Sequence, residues 1–210
     1  MAAQKIALIT EGDGEKDAAP RLLALALQHC GCFHLFPRQP ALNAHGCGNL
    51  TKRGGLEKFL EVAYRYDVDA VLVLIDSDGE CPVRLARDFS ARTQAVGARK
   101  PTAIVVAHTM YEVWFVASAS ALGGVSLGSR TFQSDIEIPV DPEDINNPKS
   151  WIEDKIRPKQ YKETEDQVVL TSQIDFDLAR THSRSFRRFV HAVEELVEAV
   201  DGSTVRVTPN

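Results

Sequence analysis

Acidic residues follow two apolar segments of the chain, and their types and spacing suit the binding of a divalent cation. Glu11 and Glu15 lie in a Glu-Gly-Asp-Gly-Glu sequence after one apolar run, and Asp76 and Asp78 follow the longest apolar run. Carboxylates are the ligands that Mg²⁺ prefers, and such sites often bind substrate phosphate as well. Either loop alone is better explained as a polar turn or a helix start. The two loops together predict a metal site.

The segments that position these acids alternate between strand and helix patterns. Apolar runs predict strands over residues 5–10, 32–37, 70–75 and 102–107. Apolar residues at helical spacing predict helices over residues 16–30, 56–66 and 82–96. This alternation predicts an α/β fold with a mostly parallel sheet flanked by helices. Sites in such sheets form beyond the carboxyl ends of the strands, where Asp76 and Asp78, two residues apart, are expected to share a face.

The second half of the chain has weaker patterns. We expect residues 1–120 to form the core, and residues 121–210 to form a loop-rich, mostly helical extension packed on it within one structural domain. Helices are expected over residues 149–156, 164–173 and 184–200, with a frayed tail from Gly202. Within the core, residues 38–55 are expected to form a loop. Residues 111–117 fit either a short helix or the end of a strand.

Composition excludes several classes of protein. The net charge is −5, so any contact with nucleic acid needs a local basic patch. There is no apolar run of transmembrane length, no signal-peptide pattern and no Walker A motif, so we expect a cytoplasmic protein that neither enters a membrane nor hydrolyses ATP by itself. The four cysteines are expected to be thiols. Cys30, Cys32 and Cys47 lie near two histidines, but their spacing matches no standard zinc motif.

The acidic motifs resemble those of the Toprim domain, which occurs in topoisomerases, primases, recombination-repair proteins and overcoming-lysogenization-defect nucleases. A lone Glu after the first strand and an Asp-x-Asp after a later strand are its pattern, and Glu11 to Glu15 is most similar to the nuclease branch. The chain as a whole resembles a bacterial Toprim-like family of unknown function that is linked to phage defence. The stretches that carry this resemblance are Glu11–Glu15, Gly48–Leu50, Asp76–Pro82, Tyr111–Phe115 and Ser183–Phe186.

The resemblance implies a Toprim-like (Rossmann-like) fold and a Mg²⁺- or Mn²⁺-dependent nuclease that cleaves DNA or RNA, acting in phage defence. Glu11 would be the acid/base or a metal ligand, Asp76 and Asp78 would bind the metal, and Glu15 and Glu112 would bind a second ion. Two ions can stabilise both the attacking and the leaving oxygen of a phosphodiester. For Glu112, an equally good alternative is an acid on a helix surface between core aromatic residues.

Basic residues are expected to contact the nucleic acid. Residues 157–188 contain a small basic excess, and Lys159 or Lys162 is a candidate for stabilising the charge that develops on a phosphodiester. Candidates for contacts with the strand are Lys52, Arg53, Arg184, Arg187 and Arg188. Taken singly, each basic residue of 157–188 is better explained as part of a solvated helix face.

Other functions remain open at this point. The main alternative is a non-catalytic module that binds metal or nucleic acid and acts with a separately encoded ABC-type ATPase, a partner that only the resemblance implies. Nucleotidyl transfer lacks an evident base pocket, and a phosphoacceptor receiver domain would be much shorter. The sequence does not decide whether the chain forms a homo-oligomer.

Overall fold

The computed structural model describes residues 4–209, and its centre is a parallel β-sheet with helices on both faces. The strands are β1 (Gln4–Thr10), β2 (Leu35–Pro37), β3 (Leu42–Asn43), β4 (Ala70–Asp76), β5 (Thr102–Ala107), β6 (Ser126–Leu127), β7 (Arg130–Phe132), β8 (Ile156–Arg157) and β9 (Val207–Thr208). The helices are α1 (Glu15–His29), α2 (Cys47–Thr51), α3 (Gly55–Arg65), α4 (Pro82–Ala95), α5 (Val113–Val116), α6 (Pro148–Asp154), α7 (Glu163–Thr171), α8 (Phe176–His182) and α9 (Arg184–Asp201). Short 3-10 helices cover Ala119–Leu122 and Pro142–Asp144.

The main sheet has the strand order β2-β1-β4-β5-β9, and β3 pairs with the end of β1. All of these pairs are parallel. Strand β4 lies in the middle because a strand covered on both faces needs apolar side chains on both. Residues 70–75 meet this need, since none is more than 2% exposed. The expected α/β, Rossmann-like arrangement is confirmed.

Alternate residues of the central strands pack into two separate layers. Leu72 and Leu74 of β4 lie in the layer that contains α1 and α9, while Val71, Val73 and Ile75 lie in the layer that contains α3 and α4. This follows from the two-residue period of a strand, which points successive side chains to opposite faces. The two layers hold β1, β4 and β5 in register and therefore fix where their carboxyl ends lie.

The second half of the chain packs against the sheet through an aromatic cluster. Helix α9 contacts β5 and α1, and Trp114 of α5 lies 5.5 Å from Phe186 and 5.4 Å from Phe189 between ring centroids. The indole Nε1–H of Trp114 donates to Ser185 Oγ at 2.9 Å. Strands β6, β7 and β8 form a separate antiparallel sheet in this half. Within residues 4–209, no helix is long and apolar enough to cross a membrane.

Three expectations about local structure are wrong in part. Residues 38–55 are not all loop, because Leu42 and Asn43 pair with Ile9 and Thr10 of β1 and α2 follows shortly afterwards. The tail after Gly202 is not frayed throughout, because β9 pairs with β5 and is buried. Helix α8 was not expected. Each of these elements is too short for a sequence period to show. Residues 111–117, left open above, contain the helix α5.

Candidate metal centre

The two acidic loops meet because β1 and β4 are neighbours in the sheet. Their register pairs Thr10 with Leu74, so Glu11 leaves β1 beside the end of β4. The carboxylate Oε2 of Glu11 accepts a hydrogen bond from the backbone N–H of Asp76 at 3.1 Å. The convergence that the sequence predicted for these loops is present in the structure.

An outer cluster is formed by Glu11, Cys47 and Asp78. One side-chain ligand atom from each lies within 4.8 Å of the others. Cys47 is the first residue of α2, and Asp78 lies in an exposed turn with φ of 46°, a conformation that Asp tolerates better than most residues. This turn also corrects one expectation, since Asp76 ends β4 half-buried and the two aspartates do not share the face of one extended strand.

An inner cluster is formed by Glu15, Glu112 and Gln167. The amide Nε2 of Gln167 lies 3.1 Å from Glu112 Oε1 and 3.4 Å from Glu15 Oε1, so it links the two acids. Glu15 Oε2 accepts from the backbone N–H of Gly12 at 2.8 Å. Tyr161 donates its hydroxyl to Glu112 Oε1 at 2.9 Å. Glu112 is fully buried, which excludes the alternative of a surface acid.

The glycines of the first loop leave room for the inner cluster. A Cβ atom on Gly12 would lie 2.5 Å from Glu15 Oε2, and one on Gly14 would lie 2.5 Å from Gln167 Oε1. Real Cβ atoms do not approach so closely, and both neighbours are held by the contacts above. The Glu-Gly-Asp-Gly-Glu sequence is therefore explained by close packing around Glu15.

Burial and mutual repulsion raise the pKa values of these acids. Burial raises the pKa of Asp76 well above its ordinary value, and Glu15, Glu112, Glu11 and Asp78 raise it further. The pKa of Asp76 is therefore raised by acids of both the outer and the inner cluster. Burial likewise raises the pKa of Glu11, although backbone N–H groups of Asp76 and Cys47 partly oppose it.

Two further groups at this site have strongly raised pKa values. Burial raises the pKa of Glu112 to about 7, even though Lys149 and Tyr161 act in the opposite direction. Burial and then the charges of Glu11 and Asp78 raise the pKa of the Cys47 thiol to about 12. A bound cation would reverse these shifts, because it favours every ionised ligand.

The donor set fits a hard divalent cation. Five carboxylates converge, and Glu112 Oε2 is buried without a hydrogen-bond partner among residues 4–209. An unpartnered buried carboxylate oxygen is costly unless a cation or a proton satisfies it. Of the expected ligands, Glu11 and Asp78 bring ligand atoms within 4.8 Å of one another in the described part of the chain, with Cys47 as the third member of the group. The other three, Asp76, Glu15 and Glu112, interact with them through their charges around Asp76.

Comparison with known proteins gives a family for the chain. A family model described as a domain of unknown function, DUF4276, matches residues 10–194. The chain belongs to the DUF4276 family. No curated protein and no solved structure matches it. The matched region of this DUF4276 chain includes both acidic loops and Glu112.

A lysine that sequence reasoning missed lies beside the inner cluster. Lys149, near the start of α6, has its Nζ 2.6 Å from Glu163 Oε2 and 4.0 Å from Glu112 Oε1. Partial burial acts to lower the pKa of Lys149, but Glu112 and Glu163 outweigh it and the pKa is raised. The group therefore stays protonated near neutral pH. Nothing in the local sequence around Lys149 or Gln167 indicates a role in the site. Cys47 was considered above only for a zinc motif that its spacing does not match.

The two lysines proposed from the sequence form other ion pairs. Lys159 Nζ lies 2.5 Å from Asp154, and Lys162 Nζ lies 3.1 Å from Glu165. Among the contacts of residues 4–209, neither lysine touches the acidic clusters. The backbone N–H of Lys162 instead donates to Asp166 Oδ2 at 2.7 Å.

The residues expected to contact nucleic acid lie in two places. Lys52 and Arg53 are exposed after α2, the helix that contributes Cys47. Arg184, Arg187 and Arg188 lie in the first turns of α9. Arg184 pairs with Glu143 at 3.2 Å, Arg188 pairs with Glu195 at 2.8 Å, and Arg187 donates to the carbonyl oxygen of Arg180 at 2.6 Å. The positions of these residues do not test whether they contact nucleic acid, so that role stays a prediction.

Proposed function

We propose that this DUF4276 chain is a Toprim-like, Mg²⁺- or Mn²⁺-dependent nuclease that hydrolyses phosphodiester bonds of DNA or RNA. The observation that carries the proposal is the meeting of Glu11, Asp76 and Asp78 at the carboxyl ends of β1 and β4, where Glu11 accepts from the N–H of Asp76 and clusters with Asp78. Glu15 and Glu112 lie close enough to raise the pKa of Asp76 as well. A structural role alone does not account for it, because buried like charges destabilise a fold that has no cation to separate them.

The two clusters suit one or two ions. Glu11 and Asp78, with Cys47 beside them, would hold one ion, and Glu15 and Glu112 would hold the other, with Asp76 between them. Such ions, when bound, neutralise charge on the phosphate and activate water as a nucleophile. Oxygen donors favour Mg²⁺ or Mn²⁺, and a nearby thiol favours Mn²⁺ over Mg²⁺.

Residues of the chain supply the remaining functions. Lys149 places a lasting positive charge beside the inner cluster, where it would stabilise negative charge on the reacting phosphate. Tyr161 and Gln167 orient Glu112 through hydrogen bonds. Glu11, with its raised pKa, is placed to accept or release a proton at the outer cluster. Phage defence and a partner ATPase remain parts of the proposal that only the resemblance supports.

The direct test is a cleavage assay on single-stranded DNA, duplex DNA and RNA with Mg²⁺, Mn²⁺ or EDTA. Asp76→Asn keeps the size of the side chain but removes its charge, and it should lower metal-dependent cleavage roughly a hundredfold or more. Asp67→Asn is the matched control, because Asp67 is exposed after α3. Equal cleavage by wild type and Asp76→Asn would refute the proposal. Metal binding with no cleavage of any substrate would instead favour the non-catalytic module.

A further inference from the structure

A cavity of about 490 Å³ lies beside β5, outside the acidic clusters. Strand β9 pairs with β5 only at Thr102 and Ala103. The next part of β5 has no strand on that side among the described residues, and Ile104 and Val106 line the cavity there. The volume lies in the range of sites for small organic ligands.

The cavity is next to the proposed metal centre in the sheet. Asp76 is in register with Ala107 at the end of β5, and His108, the following residue, lines the cavity. The backbone of Thr109 then supports the acidic turn, since its carbonyl oxygen accepts from the N–H of Asp78 at 3.1 Å. A ligand in this cavity therefore lies one strand away from Asp76.

The charge of the cavity is opposite to that of the whole chain. Arg87 of α4 and both Arg184 and Arg188 of α9 line it, in a chain whose net charge is −5. The one acid in the lining is Glu143, and its carboxylate already accepts from the backbone N–H of Ser185 at 2.7 Å and from Arg184 at 3.2 Å. The lining thus retains positive charge for an anionic ligand.

Two of these arginines have unused hydrogen-bonding capacity. Arg87 is exposed and forms no ion pair within residues 4–209. Arg188 donates through Nη1 to Glu195, but its Nη2 is buried and lacks an acceptor in the described part of the chain. A buried donor without an acceptor is costly, and a phosphate beside it would supply one.

Apart from His108 and Ser185, the rest of the lining is apolar. Ile104 and Val106 form one wall, and Pro82, Val83 and Ala86 of α4 form another. Val83 is 59% exposed, so its side chain is accessible to a ligand in the cavity. An apolar surface bordered by arginines matches a molecule that has a flat aromatic ring at one end and a phosphate at the other.

We propose that this cavity binds one nucleoside monophosphate group, with its base against the apolar lining residues of α4 and its phosphate at the three arginines. In the proposed nuclease, this group is either a nucleotide of the substrate strand or a free nucleotide, and that interpretation rests on the proposed function. The lining contains both features that a nucleotide needs, while inorganic phosphate would use only the arginines.

The test is calorimetric titration of the full chain in EDTA, which separates this cavity from the metal centre. The probes are AMP, dTMP, thymidine, inorganic phosphate and a short DNA oligonucleotide with or without a terminal phosphate. The variants are Arg87→Glu, which reverses an exposed charge, and Ala86→Phe, which fills the apolar part of the cavity. Arg65→Glu on α3 is the control, since it reverses an exposed arginine outside the lining. Thermal melts confirm that each variant is folded.

A mononucleotide should bind wild type and Arg65→Glu equally, and should bind Arg87→Glu and Ala86→Phe at least about tenfold more weakly. Competition by the phosphorylated oligonucleotide would assign the site to a strand end, and binding of mononucleotide alone would assign it to a free nucleotide. Unchanged affinity in both variants, or inorganic phosphate that binds as well as AMP, would overturn the proposal. Metal-dependent cleavage without nucleotide binding in EDTA would overturn this inference alone. Nucleotide binding without cleavage under any metal would overturn the proposed function and leave the cavity assignment standing.

Discussion

The carboxylate of Glu11 accepts the backbone N–H of Asp76 at 3.1 Å, across 65 positions of sequence. This one contact joins the loop after β1 to the end of β4 and so brings the two acidic motifs into a single centre. It also gives Glu11 a structural role besides any role in chemistry, and the two roles predict different effects of substitution.

Glu11→Gln should separate these roles. The amide oxygen of Gln still accepts the N–H of Asp76, so the melting temperature should stay within about 2 °C of wild type. The amide cannot take a proton and is a weak metal ligand, so metal-dependent cleavage should fall by roughly a hundredfold. Glu11→Ala should lose both cleavage and stability. Cleavage by Glu11→Gln at the wild-type rate would show that the carboxylate acts only as a hydrogen-bond acceptor.

Lys149→Met should reduce cleavage about a hundredfold, because it removes the positive charge that lies 4.0 Å from Glu112. Lys159→Met and Lys162→Met are the matched variants, since these lysines pair with Asp154 and Glu165 instead. They should change cleavage less than about threefold. The measurement is the initial rate of cleavage by each variant at saturating metal, compared with wild type. A large loss in Lys159→Met or Lys162→Met, with Lys149→Met active, would restore the assignment made from the sequence.

The acidic residues of the site could be predicted from the sequence, whereas Lys149 could not. The acidic loops were found because apolar runs predict strands, and the carboxyl ends of parallel strands share one edge of a sheet. Glu15 and Asp76 could be placed in this way. Lys149 and Gln167 reach the centre from α6 and α7. No local pattern in the sequence records such contacts, and that of Gln167 with Glu15 spans 152 positions. The two-residue strand β9 was not predicted for a related reason. It is a strand only because it pairs with β5, and its own sequence is too short to show a pattern.

The metal-free protein should lose stability as the pH rises from about 4.5 to 7. Burial raises the pKa of Glu112 from 4.5 to about 7, so the folded state holds this proton more tightly than the unfolded chain. The resulting stabilisation is complete below pH 4.5 and is lost as the pH rises through 7. Glu112→Gln cannot ionise, so in EDTA at pH 8 it should be more stable than wild type by on the order of 3 kcal/mol.

Urea unfolding at several pH values measures this difference. The gap between Glu112→Gln and wild type should close toward pH 4.5, while Asp76 and Glu11, whose pKa values are also raised, maintain a shallower slope in the variant. Identical pH profiles of wild type and variant would mean that Glu112 does not titrate as described.

A divalent cation should raise the melting temperature, because it binds the folded state and relieves the repulsion around Asp76. At one hundred times its dissociation constant, the gain is about 2.7 kcal/mol, or roughly 5–10 °C for a chain of this size. Mn²⁺ should act at lower concentration than Mg²⁺. The gain should vanish toward pH 4–5, where the ligands are protonated. Asp76→Asn/Asp78→Asn should show no gain, and a shift equal to that of wild type would place the metal elsewhere.

Anomalous diffraction from crystals soaked in Mn²⁺ tests the central claim most directly, because it locates the ions without reference to activity. The account predicts a peak bounded by Glu11, Asp76 and Asp78, with any second peak beside Glu15 and Glu112. The same soak of Asp76→Asn crystals should lose the first peak. Peaks confined to other parts of the surface, or none at these carboxylates at saturating Mn²⁺, would contradict the assignment of this acidic centre as the metal site.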